Sequence, residues 1–359
     1  MSYCINPWCT ARENPHRDNL TPRDRCGACD TPLLIQGRYR LLRPLRALSD
    51  WEPSEIFEVD DRGQTKVLKL LRQDIFQPQF EREVETLQQL KHPGIPQVAE
   101  DGYFTVSLSN NRQIHCMVME KIQGTNLDVW LQKQGSIDQA TALNWIHQLV
   151  ELLGHIHTKG LFHRDIKLSN IMLRPTGQLT LIDFGTVRPM TNTYLAKVGG
   201  SHQRDMTSVV SPGYTPLEQI NGKAVPQSDF YALGRSMVYL LTGKHPIDLP
   251  EAETTGMLDW HSHTVQPVSD WFAQLLDDMM ALSPAQRPLR ADVLLARLAQ
   301  KKLRAEKTTR DIKVLAIVNV GLLLLQLFIG WRWIQMQPQG LEGAMRGEKV
   351  QGEEQTQIL

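Results

Sequence analysis

The stretch from Leu161 to Gly185, LFHRDIKLSNIMLRPTGQLTLIDFG, carries the strongest local pattern in the chain. Two short apolar runs, 171–173 and 179–182, flank the residues Pro-Thr-Gly-Gln, and this pattern predicts a β-hairpin. A hairpin of this size presents the polar residues at its two ends to one site. One candidate base and two candidate metal ligands lie there: Asp165, Asn170 and Asp183.

The spacing of these residues resembles the protein-kinase signature HRDxxxxN followed by DFG. Phosphoryl transfer requires a protein mainly to position groups and to neutralise charge. The resemblance implies that Asn170 and Asp183 hold Mg²⁺ or Mn²⁺ against the phosphates of ATP. It also implies that Asp165 orients the substrate hydroxyl and accepts its proton. Lys167 would neutralise the transferred phosphate, and a lysine here indicates Ser/Thr rather than Tyr as the acceptor. The alternative is a surface loop of ordinary charges.

Chain length and net charge limit the classes of protein to which the sequence can belong. A chain of 359 residues is long enough for one large or two ordinary domains. Its zero formal net charge argues against a nucleic-acid partner, because nucleic-acid binders usually carry a basic excess. The first thirty residues contain no apolar segment after a basic start, so the sequence predicts no secretory signal peptide and a cytosolic location for most of the chain.

Four of the five cysteines lie in the first 29 residues. In a reducing compartment such a cluster is more often metal-bound than disulfide-bonded. The sequence predicts a small zinc-ribbon-like module over residues 1–36, in which four thiolates form a tetrahedral Zn²⁺ site. A redox-active or disulfide-forming set and an iron site are the alternatives. The predicted ligands are Cys4, Cys9, Cys26 and Cys29.

Residues 38–120 are expected to form a small, β-rich lobe. Alternating residues predict a strand from Arg38 to Leu45 and another over 56–59. A kinase joins such strands by a glycine-rich turn whose backbone approaches the triphosphate. The turn here, Arg46–Glu55, contains no glycine. This departure from the family motivates an alternative, a pseudokinase scaffold with weak or absent catalysis.

The remaining small-lobe parts of the resemblance are present. Val67-Leu68-Lys69 matches the strand-borne lysine that contacts phosphates and pairs with a helix glutamate. The next predicted helix, 78–90, carries an apolar stripe at Val84, Leu87 and Leu90, so its three glutamates, Glu81, Glu83 and Glu85, cannot all point the same way. The spacing to the following His-Pro turn in similar sequences favours Glu83 as the partner, and a solvated helix face is the alternative for each glutamate. The resemblance places ATP contacts at the connection between the lobes, at Met119, Glu120 and Ile122.

Residues 124–300 are expected to form a large helical lobe. Ser211–Gln219 resembles the GTPxYxAPEQ motif that ends the activation segment of bacterial Ser/Thr kinases. The resemblance pairs Glu218 with Arg287 and has Asp229 cap its helix and brace the catalytic loop. It also makes two hydroxyls regulatory phosphorylation sites, with an arginine to bind the phosphate. These three residues are Thr207, Ser208 and Arg164.

An apolar segment, 314–334, predicts a transmembrane helix with tryptophans near one interface. The alternative is a buried core helix. Six Lys/Arg residues between 301 and 313 form a basic juxtamembrane linker and place the kinase domain in the cytoplasm by the positive-inside rule. Asn319 and Gln326 fall on one helix face, which suggests pairing as a homodimer. The polar tail, 335–359, is predicted to be disordered.

The resemblance to eukaryotic-type Ser/Thr protein kinases covers residues 38–300 and implies an α+β chain with a bilobal protein-kinase fold. The cysteine and hydropathy patterns add a Cys4 metal module and one transmembrane helix. The predicted function is a membrane-anchored, non-specific serine/threonine kinase that uses Mg-ATP, with proteins bearing Ser or Thr as substrates and a role in signalling. The rival is the pseudokinase scaffold. A third hypothesis makes the cysteine module a sensor of metal or redox state that gates the kinase.

Overall fold

A computed structural model describes residues 2–13, 25–108, 110–189, 210–253 and 255–336. The chain divides into two compact units, 1–298 and 299–359. The first unit contains two lobes, as the sequence predicts.

The amino-terminal lobe is built on an antiparallel sheet of six strands. The strands are β1 (Leu34–Ile35), β2 (Tyr39–Pro44), β3 (Ser54–Asp61), β4 (Gln64–Leu71), β5 (Val98–Ser107) and β6 (Gln113–Glu120). Their order in the sheet is β1-β2-β3-β4-β6-β5. Phe57 and Val59 alternate with more exposed neighbours along β3, so one face of the sheet is apolar. Both predicted strands are present, although the second begins two residues earlier than predicted.

One helix, α1 (Gln77–Gln89), follows a 3₁₀ turn at Asp74–Phe76. Pro78 lies in its first turn, where the missing amide costs nothing. The predicted apolar stripe is buried, with Val84 and Leu87 at most 3% exposed. Glu83 lies on the same buried side.

The cysteine module packs on this lobe. The amide of Tyr3 donates to the carbonyl of Leu41 in β2 at 3.1 Å. Ile5 is buried in the same apolar cluster as Phe57 and Val59. The module therefore contributes part of the core of the small lobe.

The second lobe is helical: α2 (Leu127–Gln134), α3 (Gln139–Thr158), α4 (Leu217–Ile220), α5 (Pro226–Thr242) and α6 (Asp270–Met279). Helix α3 has a capped start, since the Asp138 side chain accepts from the amide of Thr141 at 2.8 Å. The apolar side of helix α3 is buried, with Ile146, Leu149 and Leu153 at most 2% exposed, and the helix ends just before the catalytic loop. Short 3₁₀ turns complete the lobe at Pro246–Asp248, His261–His263 and Pro284–Gln286.

The predicted hairpin is confirmed. Strand β9 (Ile171–Leu173) pairs antiparallel with β10 (Leu179–Leu181) and with β7 (Thr125–Asn126). Strand β8 (Leu161–Phe162) pairs with β11 (Arg188–Pro189) on the other side of the loop. The interlobe connection packs closely against the hairpin at Gly124, where an added Cβ would lie 2.0 Å from the carbonyl oxygen of Leu173. Only glycine fits there.

The last helix, α7, runs from Ala291 to Gln335 and includes the segment predicted as a linker. Within it, Leu315–Trp333 is 19 residues long, has a mean hydropathy of 1.8 and is fully exposed. By length and composition this helix could cross a membrane. All but two residues of the predicted polar tail lie outside the described residues.

Candidate active site

The catalytic loop lies between β8 and β9, and its centre is Asp165. The carboxylate is 6% exposed and makes three side-chain contacts. Oδ1 accepts a hydrogen bond from Oγ of Ser211 at 2.7 Å. Oδ2 lies 2.9 Å from Nζ of Lys167 and accepts from Nδ2 of Asn170, also at 2.9 Å. Asp165 is thus held rigidly, with a cation and a hydroxyl beside it.

The amide of Asn170 is oriented by this arrangement. Its Nδ2 donates to both the carboxylate and the backbone carbonyl of Asp165, the latter at 3.0 Å. Since the nitrogen is engaged in this way, Oδ1 is the atom that Asn170 can offer to a cation. The backbone carbonyl of Asn170 accepts from the amide of Ile182 at 2.8 Å, which ties the loop to the strand leading to Asp183.

Asp183 follows β10 in a left-handed backbone conformation, with φ of +66°. A non-glycine residue rarely adopts this conformation, and such strain collects at functional sites. Its side chain is 47% exposed, and Oδ1 lies 3.6 Å from Nζ of Lys69. The ammonium of Lys69 lowers the pKa of Asp183, so the carboxylate is ionised and can bind a cation.

Lys69 and Glu83 form a buried ion pair across β4 and α1. Nζ lies 2.7 Å from both carboxylate oxygens. Burial alone would lower the pKa of Lys69, but the carboxylates of Glu83 and Asp183 raise it, so the amine remains charged. Of the other helix glutamates, Glu85 is exposed and Glu81 accepts from the hydroxyl of Tyr103 at 3.2 Å.

The residues expected to contact ATP at the interlobe connection lie at the end of β6. Met119 is partly buried against the main core, and Ile122 is buried. The amide of Glu120 donates to the carbonyl of Gln97 at 2.8 Å, so its carbonyl is the backbone group that it can offer to a nucleotide base. A nearby cavity of about 480 Å³ includes Met119 and Glu120 but none of the residues around Asp165.

The carboxylate of Asp229 holds the catalytic loop in place. It accepts from the backbone amides of His163 and Arg164 at 2.8 and 2.7 Å and contacts Nε2 of His157 at 2.9 Å. Although burial opposes it, these contacts with His157 and the loop lower the pKa of Asp229. The predicted capping role is wrong, because the residue at the N-cap of α5 is Val225 and Asp229 lies inside the helix.

The predicted pair that closes the large lobe is present. Nη1 of Arg287 lies 2.6 Å from Oε1 of Glu218, and the arginine side chain is completely buried. Arg287 also donates to the carbonyl of Ala281 at 2.7 Å and lies over the ring of Tyr231. These contacts fix the end of the activation segment against the helical lobe.

Of the predicted regulatory set, the structure describes only Arg164. It is buried and has a left-handed backbone, with φ of +74°. Thr207 and Ser208 lie outside the described residues, so the phosphate contact stays a prediction.

The four predicted zinc ligands come together. Their sulfur atoms all lie within 4.8 Å of one another, with Cys4 and Cys29 3.5 Å apart and Cys9 and Cys26 3.6 Å apart. A tetrahedral zinc site with Zn–S bonds of about 2.3 Å has sulfur–sulfur edges of about 3.8 Å, whereas a disulfide would need about 2.05 Å. The donor set therefore fits zinc. Against the effect of burial, the hydroxyl of Thr31 lowers the pKa of Cys29 to about 6.

Sequence reasoning missed two groups of contacts. Ser211 was assigned only to the motif that ends the activation segment, yet it donates to Asp165 and accepts from Nζ of Lys167 at 3.0 Å. Its place at the threonine of GTPxYxAPEQ was the available signal. The second group surrounds the glycine-free turn, where Arg72 donates to the carbonyl of Ser49 at 2.7 Å. No sequence pattern pointed to that contact.

Comparison with known proteins agrees with this geometry. A family model described as "Protein kinase domain" matches residues 57–297, beginning just after the glycine-free turn. Serine/threonine-protein kinase B of Synechocystis sp. is 32% identical over 300 residues, which cover 80% of this chain and 50% of that protein.

Two other relatives carry similar names. Serine/threonine-protein kinase PknA of Nostoc sp. is 32% identical over 71% of this chain and 45% of its own length. Serine/threonine-protein kinase PrkC of Bacillus subtilis is 27% identical over 66% of this chain and 37% of its own. The chain spans about half the length of the curated relatives it matches.

Proposed function

The chain belongs to the protein kinase family, and from this premise we propose that it is a membrane-anchored serine/threonine kinase that transfers the γ-phosphate of Mg-ATP to protein hydroxyls. The observation that carries the proposal is the ion pair of Lys69 with Glu83, with Asp183 beside it. Kinases require this pair and the metal-binding aspartate to be in place together before they transfer phosphate.

The metal and the nucleotide have suitable donors. Asn170 offers an amide oxygen and Asp183 an ionised carboxylate, the hard ligands that Mg²⁺ prefers. The bound ion would neutralise charge on the phosphates. Lys69, kept protonated by its carboxylate neighbours, would bind phosphate oxygens. Met119, the carbonyl of Glu120 and Ile122 would border the base.

Asp165 would orient the acceptor hydroxyl and take its proton at a carboxylate oxygen. Lys167 lies close enough to neutralise the phosphate as it is transferred, and Ser211 links the two side chains. Because these contacts already exist in the free chain, little rearrangement is needed in this part of the site. A positioned base contributes about 10²–10⁴-fold to such a reaction.

Phosphate transfer to a generic Ser/Thr acceptor tests the proposal. The wild-type chain with Mg-ATP should label the acceptor, and Asp165→Asn should reduce labelling by at least about 10²-fold. Asp128→Asn, a change in helix α2, is a matched control that should retain activity. Equal labelling by wild type and Asp165→Asn would contradict the proposed role.

The pseudokinase scaffold remains the second candidate because of one observation, the glycine-free turn. Side chains there occupy the position at which a kinase brings backbone amides to the phosphates. A scaffold would show neither thermal stabilisation by Mg-ATP nor phosphate transfer. We favour catalysis because Lys69, Asp165, Asn170 and Asp183 are all present in the site.

The cysteine module is proposed to hold one structural Zn²⁺. With few apolar residues of its own, a module of this size depends on metal for its folding free energy. Metal analysis of the purified chain should find about one zinc per chain, and Cys26→Ser should lose it. Iron in place of zinc, or a wild type without metal, would contradict this assignment.

The helix Leu315–Trp333 is proposed to anchor the chain, with the kinase domain on the cytoplasmic side. Its length and hydropathy, and the basic residues before it, support this proposal. The family implies that the substrates are proteins bearing Ser or Thr. The polar residues on one helix face support the proposal that the helix pairs as a homodimer.

A further inference from the structure

The turn that lacks glycine is connected to the cysteine module through one arginine. Nη2 of Arg12 lies 3.1 Å from Oδ1 of Asp50, in the middle of the turn. Nη1 lies 3.1 Å from Oε1 of Glu55, in β3, and donates to the carbonyl of Pro7 at 2.6 Å. One guanidinium therefore spans the module, the turn and the strand that follows it.

A second arginine reaches the same two carboxylates from the catalytic side. Arg72 lies three residues after Lys69, and its Nη2 is 2.7 Å from Oδ1 of Asp50. Its Nε lies 3.8 Å from Oε1 of Glu55. Two arginines and two carboxylates thus alternate in a neutral cluster, which we name the turn clamp: Arg12, Asp50, Glu55 and Arg72.

Burial shows which contact of the clamp is strong. The side chains of Arg12 and Glu55 are 11% and 4% exposed, so solvent screens their pairing weakly. Asp50 is 74% exposed, and a wholly exposed ion pair would contribute little. The buried pair with Glu55 therefore fixes the guanidinium of Arg12, and the fixed guanidinium can then hold the turn through Asp50.

The fold of the module determines where Arg12 lies. Its backbone amide donates to the carbonyl of Cys9 at 3.1 Å, so the arginine follows one of the four clustered thiols by a single turn. The amide of Tyr3 and the side chain of Ile5 fix the same segment to the sheet. Movement of the Cys9 turn would shift Arg12 directly.

We propose that Arg12 is a positioning residue, which holds the glycine-free turn over the nucleotide and makes the affinity for Mg-ATP depend on the cysteine module. The inference rests on the proposed kinase function. Glycine-rich turns bind phosphates because their backbone can approach closely. The side chains of a turn without glycine prevent that approach, so contacts outside the turn decide its position over the nucleotide, and a turn that is already fixed lowers the ordering cost of binding. The ion pairs of the clamp do not include Asp165, so the clamp should affect nucleotide binding rather than transfer.

The first test separates KM from kcat in the full chain. Arg12→Ala should raise KM for ATP about fivefold or more and change kcat less than about twofold. Arg12→Lys should restore KM only in part, because one ammonium cannot reproduce the fork of a guanidinium. The control is Arg25→Ala in the same module, whose exposed ion pair is with Asp30, and it should keep the wild-type KM.

A second variant separates loss of the contact from misfolding of the cysteine module. Asp50→Asn changes an exposed side chain and should raise KM as Arg12→Ala does. The double variant should raise KM by less than the product of the two single effects, because both changes break the Arg12–Asp50 contact, although Arg12→Ala also removes the pair with Glu55 and Asp50→Asn the pair with Arg72. Wild-type KM in both single variants, or a loss confined to kcat, would overturn the inference.

A readout without nucleotide separates this inference from the proposed function. Trp51 lies in the turn and is 91% exposed, so chymotrypsin cleavage after it reports how well the turn is held. Arg12→Ala should speed this cleavage about fivefold, and Arg25→Ala should not. An inactive wild type would contradict the proposed function, and the cleavage rates would still decide whether Arg12 holds the turn. Unchanged cleavage would overturn that hold.

Discussion

At the scale of single residues, Glu83 shows how much of an ion pair can be predicted from sequence patterns. The apolar period of α1 separates buried from exposed positions, so it limits which glutamate can meet Lys69. The structure places Glu83 inside and Glu85 outside. The pairing could be predicted because the family resemblance supplied both residues, Glu83 from its spacing to the His-Pro turn and Lys69 from a strand motif.

Replacing Glu83 should destabilise the small lobe. In Glu83→Gln the buried ammonium of Lys69 loses its closest partner, and breaking a buried ion pair costs about 3 kcal/mol. Glu85→Gln, an exposed change on the same helix, should stay within about 0.5 kcal/mol of wild type. Chemical denaturation of the three proteins measures the difference, and equal free energies of unfolding for both variants would contradict the account.

Ser211 shows what sequence reasoning cannot supply. The serine lies 46 residues from Asp165, and only the tertiary fold brings the two together. A motif match names such a residue but gives its partner only when the fold is known. The bond is also chemically informative, because a hydroxyl shared by a carboxylate and an ammonium holds both in place.

Removal of this hydroxyl should slow catalysis more than binding. Ser211→Ala should lower kcat about tenfold, since a hydrogen bond to a charged group is worth about 1.5 kcal/mol. Ser211→Thr keeps the hydroxyl and should retain most of the activity. Steady-state kinetics decides the matter, and equal loss in both variants would assign the effect to packing.

At the scale of elements, the hairpin and the helices were predictable, and the ends of the strands were not. Strand β3 begins at Ser54 because it pairs with Leu71, and the amide of Arg72 donates to the carbonyl of Pro53 at 2.8 Å. These are long-range contacts with no local signal. The same contacts shorten the glycine-free turn relative to the sequence-based boundaries.

Asp229 connects helix α5 to the catalytic loop, and its contribution to stability should depend on pH. Its folded pKa is depressed below the ordinary value of 3.8. The stabilisation is therefore present above that value and is lost as the pH falls through the lower folded pKa. The gap in unfolding free energy between wild type and Asp229→Asn should be largest near pH 7 and shrink below pH 4. A constant gap would contradict this.

At the scale of the whole molecule, the family match covers residues 57–297 and omits both the cysteine module and the apolar helix. Composition and spacing were enough to predict that the four cysteines cluster and that the apolar segment is helical. They could not predict that the module reaches the glycine-free turn, because the ion pairs of Arg12 join residues about 40 positions apart. A contact of that range depends on the packing of the module against the sheet.

The anchor proposal is tested by fractionation of cells that express the chain. The full chain should sediment with membranes and resist alkaline extraction, because a predominantly apolar helix of 19 residues nearly spans the hydrocarbon core. A variant that ends at residue 298 should be found in the soluble fraction. Extraction of the full chain by alkali would show that the helix does not span.

The central claim is that a cleft with a glycine-free cover still binds a magnesium nucleotide through Lys69, Asn170 and Asp183. Calorimetric titration with ATP, with and without Mg²⁺, tests it most directly. The wild type should bind ATP at least about tenfold more tightly with Mg²⁺, and Asp183→Asn should lose this dependence. Absence of binding by the wild type, or equal Mg²⁺ dependence in Asp183→Asn, would contradict the account.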